Sequence, residues 1–474
     1  MIENLLYFTP QLLLATLALV LMLQTSFMRA ARVSQSICML GLIATVVATI
    51  SLAPAQGVAV TSLIHIQPAS NFFILLVLAS ALSTVLLQFK YGEGSREVQD
   101  EFYILTTLAT LGACILVTAA HAATLLLGLE LMSLSILAML AYQRDRQSSL
   151  EGAIKFLILS GAATAFFLLG LAFLYATSGS LTFPALFQVA IPTAETQLFS
   201  KTGLFLLLIG LCFKLSLMPF HWWTPDVYQG APVNSTLFLA TVSKAAAFAI
   251  LLRLLTIMPD QASSLLAAIL GGVAILSMIG GNLLALQQQN LKRLFAYSAI
   301  AHMGYILVAA ILAIRVNDKL ALEGSSYYLL AYVLASIAIF STLTLLSDKN
   351  SDCEYMDDIR GLFWRHPYLA TVLILATLSM AGMPLTVGFI GKFYLLSVAV
   401  EHSAWWLISA MILGSVIGLF YYLRVIICLF NQTEEEARSF HRYRSVWLGL
   451  VTLCILVFGI LPDQLGAQIA ALFS

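Results

Sequence analysis

Charged residues are scarce in this chain. Only 10% of its 474 residues are Asp, Glu, Lys or Arg, whereas 61% are apolar. A soluble globular protein has about 25% charged and about 45–50% apolar residues. Too little polar surface is therefore available to cover a water-soluble particle of this length, which excludes the soluble, disordered and disulfide-scaffold classes. Basic and acidic residues are equal in number, 23 of each, so the charge balance does not point to a nucleic-acid partner.

The chain also lacks the motifs of redox and nucleotide chemistry. Its six cysteines are scattered and form no C-x-x-C pair, so neither a thiol redox site nor a cysteine-ligated metal or iron–sulfur centre is predicted. There is no Walker A motif and no glycine-rich dinucleotide motif that follows a strand. We therefore expect no cofactor and no metal in this chain, and the energy for any transport must come from a partner or an ion gradient.

Long apolar runs predict an all-α polytopic membrane protein with about 14 transmembrane helices, since one span needs about 20 mainly apolar residues. The predicted spans lie near residues 4–27, 35–53, 70–88, 102–119, 122–142, 153–175, 200–219, 235–257, 264–285, 296–314, 326–346, 368–397, 404–430 and 446–470. The first span is expected to be retained, because no small-residue cleavage site follows it.

Lysine and arginine are distributed unequally between the predicted loops. Most of those outside the spans, including Arg144, Lys292 and Arg438, lie in one set of alternate loops, whereas the opposite loops hold only Lys201 and two others. The positive-inside rule places the first set in the cytoplasm and both termini on the periplasmic side. The longest cytoplasmic loop, near 347–367, contains several acidic residues and is expected to be either a solvated loop or a docking surface for a partner.

A few charged residues lie inside the predicted spans, where each costs about 2.5–3.5 kcal/mol on insertion scales. Glu130 is the only acidic residue in the middle of a span, and the lysines are Lys155, Lys214, Lys244 and Lys392. Lys155 lies near a boundary, so its side chain could instead extend to water. A purely structural pairing of Glu130 with Lys244 is the alternative for those two residues.

Two spans combine a lysine with residues that break helices. The seventh span runs into LSLMPFHWWTPDVYQGAPV just after Lys214, and the twelfth contains SMAGMPLTVGFIGKF, which includes Lys392. Proline frees backbone groups, which a membrane tolerates only where protein or internal water satisfies them. Non-helical backbone beside an ionisable group indicates an ion pathway, although a packing kink is the alternative.

The two broken spans are five helices apart and cross the membrane in opposite directions, as in inverted repeats. The sequence thus predicts an N-terminal three-helix segment (1–100), a first five-helix repeat (101–260), a second inverted repeat (261–432) and a C-terminal helix (433–474). His221, Tyr297 and His302 could link the charged residues, because histidine titrates near neutral pH. A backbone carbonyl satisfying each histidine is the alternative. We expect the ion to be H⁺, since Na⁺ sites need clustered oxygen ligands and lysines repel Na⁺.

Four stretches of the chain resemble the antiporter-like membrane subunits of respiratory complex I: GLELMSLSILAMLAY, FKLSLMPFHWWTPDVYQGAPV, NLKRLFAYSAIAHMGYI and GMPLTVGFIGKF. The resemblance covers nearly the whole chain. It implies a proton pathway in which Glu130 and Lys214 are the charged pair of the first half-channel, Lys155 and Lys244 are bridging lysines, and Lys392 is the terminal lysine of the second half. The remaining implied pathway residues are His221, Tyr297 and His302.

The resemblance is to the N-type of these subunits. The L-type has a long C-terminal extension, and the M-type has Glu at the position of Lys392. The mitochondrial counterpart lacks the first three helices, so a bacterial inner membrane or a plastid is implied. The resemblance also implies that the partners are other membrane-arm subunits, including the other antiporter-like ones. NADH, FMN, iron–sulfur clusters and quinone would be bound by partner subunits.

Three functions are therefore compared. The first is a proton-translocating subunit of an NADH–quinone oxidoreductase. The second is a subunit of an Mrp-type Na⁺/H⁺ antiporter, which shares the motif around Lys214. The third is a scaffold in which the charges only hold helices together; it predicts that Lys214→Leu is tolerated, because apolar replacement of buried ion pairs is often neutral.

Overall fold

The computed structural model describes residues 2–91, 99–142, 146–189, 193–258, 260–316, 319–347, 352–431 and 442–473. These residues are almost entirely helical, which confirms the predicted all-α membrane fold. The loop residues Arg144 and Arg438, which contribute to the predicted charge asymmetry, lie outside the described residues.

Among the described residues, the N-terminal part and the first half of the chain contain twelve α-helices. They are α1 (Ile2–Leu5), α2 (Thr9–Phe27), α3 (Ala31–Ser51), α4 (Pro68–Tyr91), α5 (Gln99–Thr118), α6 (Ala122–Leu140), α7 (Gln147–Ser178), α8 (Phe183–Leu186), α9 (Ala194–Lys214), α10 (Trp223–Gly230), α11 (Val233–Phe238) and α12 (Lys244–Ile257). A 3₁₀ turn (Leu6–Phe8) joins α1 to α2, and a π-helical turn (Leu239–Ser243) joins α11 to α12.

The described part of the second half contains nine more α-helices: α13 (Asp260–Leu286), α14 (Leu291–Val316), α15 (Lys319–Leu346), α16 (Leu362–Arg365), α17 (Pro367–Ala381), α18 (Val387–Glu401), α19 (Trp405–Phe430), α20 (Arg442–Ile460) and α21 (Pro462–Ala471). A 3₁₀ turn (Met356–Ile359) precedes α16. A short antiparallel hairpin, β1 (Val58–Ala59) with β2 (His65–Ile66), connects α3 to α4.

Twelve of the helical segments in the described residues are long and apolar enough to cross a membrane. The α20–α21 pair passes the same test only as a unit and is bent by 89°. Both predicted breaks are present, because α9 ends at Lys214 before α10 begins at Trp223, and α17 ends before α18 begins. Gly382 closes α17 with a φ of +82°, a left-handed conformation that favours glycine.

The helices differ in how deeply they are buried. In the most apolar 18-residue stretch of α14, every residue is buried. Most residues of the corresponding stretches in α11–α12 and α15 are also buried, whereas only a third are buried in those of α2, α3 and α7. The α11–α12 segment, α14 and α15 thus form the centre of the protein. The charged side chains that are fully buried on these helices, Lys244 and Lys292, therefore need partners within the protein.

Close backbone contact fixes α6, which carries Glu130, against α5. A Cβ atom added to Gly128 would lie 2.7 Å from the backbone nitrogen of Leu116, and one added to Gly112 would lie 2.5 Å from that of Met132. Real Cβ atoms do not approach backbone atoms this closely. Membrane helices commonly pack tightly against each other where small residues occupy such positions.

Candidate functional site

Lys214 lies buried where three helices meet. It is the last residue of α9, and its Nζ donates hydrogen bonds to Ser133 Oγ of α6 at 2.7 Å and Ser160 Oγ of α7 at 2.8 Å. The ring of Phe156 lies below the ammonium group, 5.7 Å from Nζ to the ring centre. Serine hydroxyls both donate and accept, so they can stabilise the charged lysine and exchange protons with it.

Glu130 faces Lys214 across a small cavity. Its Oε1 accepts a hydrogen bond of 2.8 Å from Thr164 Oγ1, and no direct ion pair of Glu130 occurs within the described residues. The cavity between the two charges has a volume of about 10 Å³ and is lined by Glu130, Thr164, Lys214 and the apolar side chains around them. That is about the space one water molecule needs.

Lys244 is fully buried and contacts the backbone of the break that follows Lys214. Its Nζ donates to the carbonyl oxygen of Lys214 at 3.2 Å and to Ser216 Oγ, and it lies 5.2 Å from the centre of the Trp223 ring. The hydroxyl of Thr224 donates to the same Ser216 oxygen at 2.6 Å. In the described structure Lys244 therefore meets α9 itself, and not Glu130 as the structural alternative requires.

Lys155 is paired with carboxylates of α7 and α10. Its Nζ forms ion pairs with Glu151 at 2.7 Å and Asp226 at 2.8 Å, and its side chain is 42% exposed. Arg293 of α14 binds the other carboxylate oxygen of Asp226 at 2.6 Å. Extension of Lys155 toward water is thus combined with ion pairing to two carboxylates.

His221 and Tyr297 lie together beside the first break. Their ring centres are 6.5 Å apart, and His221 also packs on Trp222 at 5.1 Å. The guanidinium carbon of Arg293 lies 6.0 Å from the centre of the Tyr297 ring. The structure brings these two predicted residues close to each other and to Arg293.

Lys392 lies on α18, and its side chain extends back to the second break. Its Nζ donates to the carbonyl oxygen of Ala381, the last residue of α17, at 2.9 Å and lies 5.2 Å from the centre of the Tyr305 ring. It resembles Lys244 in this respect, since each lysine satisfies a carbonyl at the end of a broken helix. Such terminal carbonyls have no partner within their own helix.

His302 lies at the centre of the protein between two tyrosines. Its Nδ1 is 2.6 Å from the hydroxyl of Tyr328 on α15, and its Nε2 is 3.0 Å from that of Tyr422 on α19. The Tyr422 hydroxyl is in turn 2.5 Å from Ser298 Oγ, one turn before His302 on α14. Side chains, and not a backbone carbonyl, therefore satisfy this histidine.

A buried ion-pair cluster at the start of α14 was not predicted from the sequence. Lys292 has no exposed side-chain surface, and its Nζ pairs with Asp352 at 3.0 Å and Glu354 at 2.8 Å. Arg146 binds the same Asp352 oxygen at 2.9 Å. The expectation of a solvated loop is wrong for Asp352, whose side chain is also completely buried, because the loop folds back onto α14.

The assignment of Lys292 to a loop between spans is wrong, since the residue belongs to α14 and its side chain is buried. Its Nζ also donates to the carbonyl of Ala231 at 2.9 Å, directly after α10. Lys292 and Arg293 together hold the α10 segment against α14. The adjacent basic pair in NLKRLF is the signal for this cluster, but the pair alone does not reveal which carboxylates it meets.

The fold and the site define a class of protein. It is a polytopic membrane protein with a series of ionisable side chains through its centre. The family model for the membrane part of NADH:quinone oxidoreductases and Mrp antiporters matches residues 119–418. NADH-quinone oxidoreductase subunit N of Ectopseudomonas mendocina (strain ymp) is 43% identical over 479 residues, which cover 98% of this chain and 95% of the relative.

Solved structures agree with this match. A chain of respiratory complex I from Thermus thermophilus with bound aureothin is 32% identical, with a TM-score of 0.84 over 98% of this chain and 99% of that one. A chain of the Mrp complex from Dietzia sp. DQ12-45-1b has a TM-score of 0.87 over 99% and 97% but is only 16% identical, so it shows the fold alone. The chain belongs to the NADH–quinone oxidoreductase subunit N family, within the larger group that also contains the Mrp antiporters.

Proposed function

We propose that this chain is a proton-translocating membrane subunit of an NADH–quinone oxidoreductase, in which quinone reduction in other subunits drives H⁺ through the intramembrane Glu and Lys residues. The observation that carries the proposal is the contact of Lys244 with the Lys214 carbonyl, combined with the two serines that bind Lys214 Nζ. Together they connect buried ionisable groups from α6 to α12. The 43% identity to a subunit N favours this function over Mrp-type antiport.

The geometry supports proton transfer in the first half of the chain as follows. A proton that reaches Glu130 is separated from Lys214 by a cavity of about 10 Å³, which a single water can fill. Lys214 can exchange a proton with Ser133 or Ser160, whose hydroxyls lie within hydrogen-bond distance. Because the interior screens charge poorly, a change of charge at Lys214 is felt at Lys244 nearby.

The chain is proposed to contain no redox centre of its own. NADH, FMN, iron–sulfur clusters and quinone are assigned to partner subunits, and the partners in the membrane include the other antiporter-like subunits. This division fits a chain whose intramembrane lysines, Lys214, Lys244 and Lys392, are hydrogen-bonded to other groups of the protein. Its own residues bind, hold and pass protons.

The finer architecture is part of the same proposal. We infer about 14 spans, two inverted five-helix repeats and both termini on the periplasmic side of a bacterial inner membrane. Supporting this inference, α9–α10 and α17–α18 are both interrupted, and a lysine bonds to a terminal carbonyl at each interruption.

The test is a mild-detergent purification of a tagged chain, with NADH–quinone reductase activity followed across a size column. Activity that migrates with the tagged chain in one large particle supports the proposal. A particle of membrane subunits without NADH oxidation, but with Na⁺-dependent proton movement in vesicles, contradicts it and favours the Mrp-type antiporter. Within an active particle, Lys214→Ala should leave assembly intact and impair coupled turnover.

A further inference from the structure

We propose that Ser298, Tyr422, His302 and Tyr328 form a hydrogen-bonded proton relay through the centre of the second half of the chain. The inference deepens the proposed function and rests on it. It adds Tyr328 and Tyr422 to the proton pathway and assigns a defined atom-to-atom route to His302.

The relay is continuous and closed to water. Ser298 Oγ lies 2.5 Å from Tyr422 Oη, Tyr422 Oη lies 3.0 Å from His302 Nε2, and His302 Nδ1 lies 2.6 Å from Tyr328 Oη. All four residues are buried, and they come from three helices, α14, α15 and α19. Both ring nitrogens of His302 are therefore engaged by hydroxyl groups, each of which can either donate or accept.

This arrangement can pass one proton without leaving a charge behind. Neutral imidazole carries a proton on one nitrogen and a lone pair on the other. When His302 carries its proton on Nδ1, a proton received by Ser298 Oγ displaces the Ser298 proton to Tyr422. The Tyr422 proton then moves to His302 Nε2, the Nδ1 proton moves to Tyr328, and Tyr328 releases its own. One proton enters, one leaves, and His302 changes tautomer.

The Tyr328 end of the relay lies beside the helix that carries Lys392. A Cβ atom added to Gly391, the residue before Lys392, would lie 2.8 Å from Tyr328 Cδ2. The rings of Tyr328 and Tyr305 are 6.4 Å apart, and Lys392 Nζ lies 5.2 Å from the Tyr305 ring centre. The relay thus connects the interior of α14 to the neighbourhood of the second broken helix.

The same hydrogen bonds would also hold α14, α15 and α19 together if they were only structural, so the test must separate the two roles. Glutamine at position 302 can donate to one tyrosine and accept from the other, but it cannot take up a proton at one atom and release another elsewhere. His302→Gln therefore keeps the capacity for two hydrogen bonds while removing the relay. Tyr328→Phe and Tyr422→Phe each remove a single oxygen atom.

Tyr327, which lies next to Tyr328 on α15, provides a matched control. Tyr327 is also buried, but its hydroxyl donates to the carbonyl of Phe458 at 2.5 Å, away from His302. Tyr327→Phe removes a buried hydroxyl of the same kind from α15 without touching the relay. The experiment uses the complete membrane complex in sealed vesicles and measures NADH oxidation and proton movement in H₂O and in D₂O.

We expect Tyr422→Phe, Tyr328→Phe and His302→Gln to assemble and to lower the rate of coupled proton movement by about a hundredfold, the lower end of the range for lost proton-transfer groups. The solvent isotope effect should rise in all three variants and stay unchanged in Tyr327→Phe. Wild-type rates in His302→Gln, or in both tyrosine variants, would overturn the relay. If His302→Gln does not assemble, the two tyrosine variants decide the question.

A reference variant separates failure of the relay from failure of the proposed function. Lys214→Ala is measured in the same vesicles. If it loses proton movement while the relay variants behave like wild type, the relay is wrong and the proposed function stands. If Lys214→Ala and all relay variants pump normally, both the relay and the proposed function of proton translocation through this chain are wrong.

Discussion

Lys244 caps the helix that ends at Lys214. The Nζ of Lys244 donates to the Lys214 carbonyl, 3.2 Å away, in a part of the protein that is fully buried. The last carbonyls of a helix carry partial negative charge and lack partners within it, and a lysine side chain is a favourable donor to them. One buried lysine therefore helps hold the other in place, which gives Lys244 a structural role in addition to its proposed role in proton transfer.

Lys155→Ala should have a smaller effect than Lys214→Ala. The Lys155 side chain is 42% exposed and pairs with carboxylates, and exposed ion pairs contribute about 0.2–1 kcal/mol. We expect coupled turnover to fall by at most about fivefold, compared with about a hundredfold or more for Lys214→Ala. Parallel measurements of proton movement per NADH oxidised test this order. Equal losses in the two variants would mean that Lys155 itself carries protons.

Thr164→Val should impair turnover without preventing assembly. The substitution keeps the shape of the side chain but removes the hydroxyl that donates to Glu130 Oε1. A hydrogen bond to a charged group contributes about 1.5–3 kcal/mol, so we expect coupled turnover to fall by about tenfold. Thr342→Val is the control, since that hydroxyl bonds only to the Ala338 carbonyl of its own helix. Equal rates in the two variants would show that the hydrogen bond from Thr164 to Glu130 does not contribute to turnover.

Lys292→Met alone should destabilise the protein more than Lys292→Met combined with Glu354→Gln. The single change leaves Glu354 without its 2.8 Å partner and leaves Arg146 as the remaining basic partner of Asp352. Removing one partner of a buried pair costs about 3–5 kcal/mol. Adding Glu354→Gln restores neutrality in the cluster, because the Arg146–Asp352 pair remains.

The temperature at which the purified complex loses its assembly measures this difference. We expect the double variant to recover most of the stability that Lys292→Met loses. A double variant as unstable as the single one would mean that the loss comes from packing around Lys292 and not from charge.

Gly128→Ala should be far more harmful than Gly161→Ala. A Cβ on Gly128 would meet the backbone nitrogen of Leu116 at 2.7 Å, whereas one on Gly161 meets no atom within 4 Å. Alanine favours a helix by about 1 kcal/mol relative to glycine, so Gly161→Ala should be neutral or stabilising. Gly128→Ala must separate α5 from α6 and displace Glu130, at a cost of about 1–3 kcal/mol. Thermal stability and coupled turnover of the complex report both effects.

The sequence predicts the helices and both breaks because these follow from local chemistry. Apolar runs of sufficient length define spans, and proline and glycine around Pro219 and Pro384 interrupt them. The buried charges are also evident, because lysine and glutamate are expensive inside a membrane. These features need no knowledge of which helices are neighbours.

The sequence does not predict which side chains pair with each other, because the pairing depends on how the helices pack. Ser298 and Tyr422 are 124 residues apart in the chain but lie in contact, and nothing local marks them as partners. Lys292 sits at the boundary of an apolar run, where sequence alone favours an exposed position. Its burial depends on the loop that carries Asp352, and that loop is positioned by tertiary structure.

The π-helical turn Leu239–Ser243 directly precedes Lys244. Such a turn contains one more residue than the corresponding α-helical turn, so side chains after it are rotated by about 100° relative to a continuous α-helix. Lys244 therefore faces Ser216 because of an inserted residue. If the same residues formed a continuous α-helix, Ser243 would point where Lys244 now points, so the direction of the lysine depends on the wider turn. Deletion of one residue, such as Val242, would instead give a regular helix and leave Lys244 facing Ser216.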